Sequence, residues 1–297
     1  MKDKNSARAD LALLLVAVIW GGGFIAGKMA LESFAVMEAL AWRFLGAAAL
    51  TAVFFHKRLI RGWTYRKDFA YGAVLGALAI AGQAVQMVGL NYTTPGKQAF
   101  LIMFYVVLVP FISWIVLRKR PGMNAFVAGV LALVGIALVS LNEDLTLGFG
   151  DMLSIGFAFI FGLVIVLTGI FSQKVADVFS MTFAQMFTAG FLAMLAALIQ
   201  GGGSSHQPAA VAGVFYLAVI NSFAALLIQN AAQKYTSDTH AAILLSLEAV
   251  FGVIFSVIVY REVITPRMMA GFAVIFAAVL IARMDGLFAK RLKRSET

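Results

Sequence analysis

Ten long apolar stretches constrain this chain more than any other feature. They cover residues 10–30, 34–55, 69–91, 97–117, 123–141, 151–171, 179–200, 209–230, 239–260 and 266–285. A helix of about 20 residues crosses a hydrocarbon core of about 30 Å, and it satisfies its own backbone polar groups without water. Outer-membrane strands would alternate over about ten residues, and these stretches do not alternate. With 62% hydrophobic and 12% charged residues, the chain departs from soluble domains, which have roughly 45–50% apolar and about 25% charged residues. The expectation is an all-α membrane protein with ten transmembrane helices. The first stretch follows Lys2, Lys4 and Arg8, lacks a small-residue cleavage site and runs into a glycine cluster, so it reads as a retained span rather than a signal peptide.

The charges orient the spans. After the even-numbered spans come Lys57, Arg58, Arg61, Arg66 and Lys67, then Arg118, Lys119 and Arg120, then Lys174, then Lys234. The opposite face holds Lys28, Lys97, Arg261 and Arg267, with the acids Glu143, Asp144 and Asp151. By the positive-inside rule both termini are cytoplasmic. The formal net charge of +9 therefore reports membrane orientation. Nucleic-acid binding is not expected, because no solvated domain carries the basic residues. Without cysteine there is no disulfide or thiolate site. His56, His206 and His240 show no metal-binding spacing, so no metal or other cofactor is expected.

An internal repeat divides the chain. At a shift of 143, Tyr92 meets Tyr235, Thr93 meets Thr236, Ala99 meets Ala242, Ser113 meets Ser256 and Arg118 meets Arg261. With one residue of slippage Ala128-Gly129 meets Ala270-Gly271, and Asp10 and Gly21 meet Asp151 and Gly162. The division expected is a first repeat over 1–144, a second over 145–287 and a basic cytoplasmic tail over 288–297. Five spans per repeat is odd, so the second repeat enters the membrane upside down. Inverted repeats are a recurrent transporter plan with the site near the midplane between the halves.

Several blocks resemble a known family: "IWGGGFIAGKMAL" at 19–31, "ALAWRFLGAAAL" at 39–50, "GLNYTTPGKQAFL" at 89–101 and, most specifically, "QNAAQKYTSDTHAAILLSLEAVFGVIFSVIVYREVIT" at 229–265. They resemble the EamA-type members of the drug/metabolite transporter superfamily, over nearly the whole chain. The resemblance implies two inverted five-helix EamA-like repeats forming a ten-helix permease that works by alternating access. It also implies a bacterial inner membrane and cargo ranging from amino acids and other metabolites to drugs. Where the second repeat has Glu248 and Glu262, the first has Tyr105 and Lys119, so symmetric roles for two glutamates are not expected.

Ionisable groups within spans cost roughly 2.5–3.5 kcal/mol at a helix centre on insertion scales. Arg43 and Glu248 both fall near mid-depth. Either Glu248 is a protonatable coupling group and Arg43 receives a carboxylate, or the two pair and lock the halves together. Lys28 and Glu38 sit at the external boundary, where long side chains reach the interface. Glu262 reads as a helix-end partner of Arg261 or Arg267.

Gln83, Gln86, Gln185 and Asn221 offer donors and acceptors to a cargo, or hydrogen bonds between helices. Asn91, Gln98, Gln229 and Asn230, near span ends, read more readily as such glue. Trp20, Phe24, Tyr105 and Phe159, with Trp42 and Trp114, are candidates to line an apolar cavity. Tyr105 stands out because it aligns with Glu248. Gly21-Gly22-Gly23 with Gly27, and Gly72 with Gly76, suit close helix packing, and Pro110 should kink span 4.

Gly148-Phe149-Gly150-Asp151 matches the GxGD string of intramembrane proteases, but no second membrane aspartate accompanies it, as paired-carboxylate chemistry requires. No GxSxG elbow or phosphate loop occurs. The expected function is gradient-driven transport of a small molecule, with an amino acid or related metabolite as first choice and export as its direction. Efflux of hydrophobic cations, or import, is the alternative, and an intramembrane enzyme is the remote one. Expected partners are the small-molecule substrate, membrane lipids and protons, with the protein monomeric or weakly dimeric.

Overall fold

A computed structural model describes residues 2–62, 65–118, 120–140, 147–200 and 206–295, with side chains for 7–61, 65–118, 120–139, 147–200 and 206–281. Lys119, the Glu143-Asp144 stretch, and the side chains of Lys2, Lys4 and the basic tail lie outside the described residues.

The described chain is helical. In order, α1 (Lys2–Ala30), α2 (Val36–Gly62), α3 (Arg66–Asn91), α4 (Pro95–Ile102), α5 (Tyr105–Leu117) and α6 (Met123–Ser140) make the first half. The second comprises α7 (Phe149–Lys174), α8 (Val178–Gln200), α9 (Pro208–Tyr216), a π-helical segment (Leu217–Ala224), α10 (Ala225–Gln233), α11 (Asp238–Leu245), α12 (Glu248–Tyr260) and α13 (Pro266–Ser295). Eight helical stretches are long and apolar enough to cross a membrane, and two shorter apolar helices cover Met123–Val139 and Pro266–Ile281.

Helix ends follow from local chemistry. Thr94 caps α4 by accepting from the Lys97 amide, and Pro95 fills the first turn, where its missing N–H is no loss. Ser237 caps α11 in the same way, accepting from the His240 amide. Arg118 and Arg261 close α5 and α12 in the left-handed region, with φ of 55° and 50°. These pairs stand 143 residues apart, so the repeat read from sequence is a repeat of backbone geometry.

The fourth apolar stretch is broken at Met103-Phe104, between α4 and α5, and the ninth at Ser246-Leu247, between α11 and α12. Pro110 lies inside α5 without ending it. The equivalent of Pro110 in the second half is Val253, yet that half breaks at the same place, so the proline is not the cause. The kink expected at Pro110 is displaced to the junction before Tyr105.

The stretch α4–α5 and its counterpart α11–α12 run antiparallel. The Glu262 carboxylate, just past the end of α12, accepts from the Thr94 hydroxyl and from the Gly96 amide at the start of α4.

The molecule is apolar outside and polar within. Large hydrophobic side chains such as Leu11, Phe54, Phe187, Ile199 and Ile258 are exposed, a surface matched to lipid rather than water. Arg43, Gln98, Gln185, Asn221, Gln229, Asn230 and Glu248 are buried. Glycines set the helix spacing. A Cβ on Gly72 or Gly76 of α3 would fall on the carbonyl oxygens of Met181 or Gln185 in α8, and one on Gly21 would fall on α12 at Phe251. α1 continues through its three glycines without interruption; their role here is close packing.

Candidate functional site

The central cavity, half open to its surroundings, has a volume of about 70 Å³, smaller than the roughly 300–1,000 Å³ of drug-sized ligand sites. It lies between the halves, lined from the first by α1, α2, α3 and α4 and from the second by α7, α8, the π segment, α10 and α12.

Arg43 of α2 is buried in the wall, and each of its outer nitrogens has an acceptor. Nε donates to the Ser222 hydroxyl at 2.7 Å, Nη1 to Gln83 Oε1 at 2.8 Å and Nη2 to Asn221 Oδ1 at 2.8 Å. All three partners are neutral. Among the described residues no ion pair joins Arg43 to Glu248 or to any other acid. The expected Arg43–Glu248 pair is therefore absent. Three of the five guanidinium N–H groups are bonded, and with two donors left and its charge uncompensated the group suits an anionic group of a guest.

The π-helical segment makes this arrangement. Consecutive residues Asn221 and Ser222 on this segment both reach the same guanidinium. π-segments recur at functional positions. Asn221 is also tied to α1: its carbonyl accepts from Trp20 Nε1 at 3.1 Å, and its Nδ2 donates to the Ile19 carbonyl at 3.3 Å. Gly23 makes room, because a Cβ there would overlap Asn221 Nδ2.

Glu248 lines the same cavity from α12, whose first residue it is. Tyr105, the first residue of α5, is fully buried beside it and does not itself line the cavity. Several other lining residues are aromatic. Trp20 meets Phe161 edge-on at 5.6 Å, Phe157 stacks on Phe161 at 5.2 Å, and Phe24 and Phe44 complete the wall. On the α8–α10 side Gln185 and Gln229 reach the cavity, backed by Asn230, which donates to Gln185 at 2.8 Å and to Thr182 at 2.9 Å.

Trp20, Phe24, Arg43, Gln83, Gln86, Gln185, Asn221 and Glu248 thus converge on one space. Phe159 does not. It is half exposed on the outside and meets Phe104 edge-on at 6.0 Å. Phe157, Ile160, Phe161 and Val164 share the inner stripe of α7, and residue 159 lies about 200° around the helix from 157. Trp42 and Trp114 likewise face outward.

Three charged groups also differ from expectation. Lys28 is half-buried, and its Nζ donates to the Leu90 carbonyl at 2.7 Å at the end of α3. Glu38 is paired with His206 at 2.9 Å. Glu262 turns away from Arg261 and Arg267 to take the Thr94 hydroxyl, the Gly96 amide and the Ser256 hydroxyl. Asp151 of the GxGD string is occupied by Lys97 at 2.7 Å.

Ser222, Phe44, Phe157 and Phe161 were not singled out in the sequence. The i, i+4 spacing of Phe157 and Phe161, with Val164 another turn on, is the signal that could have found the α7 stripe. A π segment leaves no such signal.

The sequence pattern of the EamA-like transporter family matches residues 7–141 and again 148–284. The chain belongs to the EamA-like transporter family. Its two matches fall on the two halves described above. An uncharacterized transporter of Archaeoglobus fulgidus is 32% identical over 276 residues, covering 93% of this chain and 86% of that protein. A second from the same organism is 26% identical over 86% of this chain. The uncharacterized transporter YyaM of Bacillus subtilis is 27% identical over about half of each chain, 48% of this one and 50% of its own. A solved crystal structure superposes with a TM-score of 0.71 over 96% of this chain and 99% of its own, at 13% identity, and so shares the fold. This EamA-family protein is an integral membrane transporter, and its family and relatives point away from an enzyme.

Proposed function

We propose that this EamA-family protein spans the bilayer ten times and exports a small zwitterionic metabolite by alternating access, with an amino acid bearing an apolar or aromatic side chain as the cargo. One observation carries the reading. One cavity is lined by both Arg43 and Glu248, unpaired with each other among the described residues, together with several aromatic side chains. An α-carboxylate fits the Arg43 guanidinium, an α-ammonium fits the Glu248 carboxyl, and the side chain fits the wall of Trp20, Phe24 and Phe161. Membrane acids and bases are retained at a cost of roughly 2.5–3.5 kcal/mol each on insertion scales, and a cargo that uses both accounts for both.

Residues 123–139 and 266–281 supply the fifth and tenth crossings in this reading. Both termini are cytoplasmic by the distribution of Lys and Arg, and the membrane is the bacterial inner membrane. The protein works as a monomer or weak homodimer among membrane lipids, and a gradient drives it, with Glu248 able to carry a proton.

The unpaired Glu248 among aromatics also suits efflux of a lipophilic cation. Arg43 in the same cavity opposes a cargo without an anionic group, so the zwitterion is preferred.

The test is reconstitution into liposomes with labelled amino acids, their methyl esters, nucleosides and lipophilic cations, with and without a pH gradient. Free amino acids moved in preference to their esters support the reading. Preference for esters and cations selects the second reading, and flux of neither class rejects both.

A further inference from the structure

The duplication relates two polar contacts at opposite ends of the molecule. At one end Lys97, three residues past the Thr94 cap of α4, holds Asp151 of α7 at 2.7 Å. At the other His240, three residues past the Ser237 cap of α11, holds Asp10 of α1 at 3.0 Å. Lys97 and His240 correspond at the shift of 143, and Asp10 and Asp151 at a shift of 141. Each contact joins one half to the other, so each draws the halves together at its own end of the cavity.

The two contacts are equivalent in position and different in chemistry. A lysine ammonium keeps its charge across neutral pH, whereas histidine ordinarily changes charge between about pH 5 and 8. The Lys97 end is fastened further, since Glu262 ties Thr94 and Gly96 of α4 to Ser256 of α12. At the His240 end the position equivalent to Glu262 is Lys119, an ammonium that cannot accept hydrogen bonds. Lys119 cannot serve as a carboxylate clamp of this kind.

We propose that His240 and Asp10 form a proton-binding site that governs opening of the cavity at its cytoplasmic end. A protonated imidazole bound to the Asp10 carboxylate makes a charge-assisted bond, roughly twice as strong as a neutral one. Acid on that side holds α11 against α1, and loss of the proton loosens the contact and favours opening. Elements α1, α5, α7 and α13 pack against α11. They bring Arg8 beside Asp10 on α1, Arg118 at the end of α5 and Lys174 at the end of α7. The described side chains of α13 bring Arg267, which lies at the other end of the molecule. Beside His240 on its own segment are Lys234 and Asp238, the latter with its carboxylate against Gly169 of α7. His240 is the one histidine among these groups. The site is distinct from Glu248, and its sidedness rests on the orientation proposed above.

The chain has no cysteine, so spin labels can be placed at two chosen positions without background. Labels at Ala7→Cys and Tyr235→Cys, both exposed, report the α1–α11 separation by pulsed dipolar spectroscopy in liposomes without cargo. Between about pH 5.5 and about pH 8, the long-distance population should rise severalfold. His240→Lys, which copies Lys97, should keep the short distance at both pH values, and His240→Gln should lose the pH response. A wild-type distribution that pH does not move overturns the proposal, as does a His240→Lys protein that responds like wild type. Because no cargo is present, failure of amino-acid flux rejects the cargo reading without touching this result, and the converse holds too.

Discussion

Tyr105 and Glu248 hold the same place in the two halves, each the first residue after the break in its span, and their side chains lie together beside the cavity. The pseudo-symmetry thus brings one carboxyl and one phenol to the seam, where a fully symmetric ancestor would bring two alike.

That pairing separates the two residues by test. The Tyr105 hydroxyl has no hydrogen bond of ordinary geometry, while its ring meets Phe161 edge-on at 5.0 Å. Tyr105→Phe should therefore change stability by less than about 1 kcal/mol, measured by thermal unfolding in detergent. Glu248→Gln should also fold, yet lose the dependence of flux on a pH gradient. Unchanged pH-driven flux in Glu248→Gln removes that residue from proton coupling.

Arg43→Lys preserves the charge and loses the fork that reaches Ser222, Gln83 and Asn221 together. A lysine cannot reproduce a planar multidentate donor, and hydrogen bonds to charged groups are worth about 1.5–3 kcal/mol each. The KM for the transported amino acid should rise by about tenfold or more, while the corresponding methyl ester is less affected. Equal losses for acid and ester would show that Arg43 holds the fold and not the carboxylate.

Gly72 of α3 touches backbone rather than flexible side chains, because a Cβ there would fall on the Met181 carbonyl and against Ala184. Gly72→Val should cost about 1–3 kcal/mol through overpacking, read as a lower unfolding temperature. Gly156 of α7, whose nearest neighbour would be a Val85 methyl at 3.8 Å, is the control, and Gly156→Ala should leave the temperature nearly unchanged.

Glu262 fastens α4 to the end of α12 through three donors. Glu262→Gln keeps the shape and forfeits the charge. It should raise the reactivity of a cysteine at Lys97 toward an impermeant maleimide severalfold, without changing a cysteine at Lys234. A uniform rise at both sites would mean general loosening instead of local release.

Much of the fold was legible because membrane spans leave a one-dimensional trace. Ten apolar stretches, the 143-residue repeat and the odd span count imply inverted halves, and the Thr94–Glu262 contact sets the fourth and ninth stretches antiparallel. The cavity was partly legible for the same reason. Arg43 and Glu248 are expensive in lipid and draw notice, and Gln83, Gln86 and Gln185 are polar where nothing requires it. Phe159 misled because aromatic content says nothing of helix phase, and 26 phenylalanines supply many false candidates.

The partners of Arg43 were hidden for a different reason. Ser222 joins Asn221 on one guanidinium from a π-helical segment, which leaves no periodic signal in the sequence. Glu262, Lys28 and Glu38 find partners at distant positions in the chain, and no local pattern encodes those contacts. Pro110 pointed to a break that both halves make elsewhere, at the residues preceding Tyr105 and Glu248.

The central claim is that two five-span halves face opposite sides of one membrane around a shared cavity. Single cysteines at Arg118 and Arg261, equivalent in the repeat, test it most directly in intact cells and inverted vesicles with an impermeant maleimide. The account predicts that position 261 reacts from outside and position 118 only from the cytoplasmic side. Labelling of both from the same compartment would contradict it.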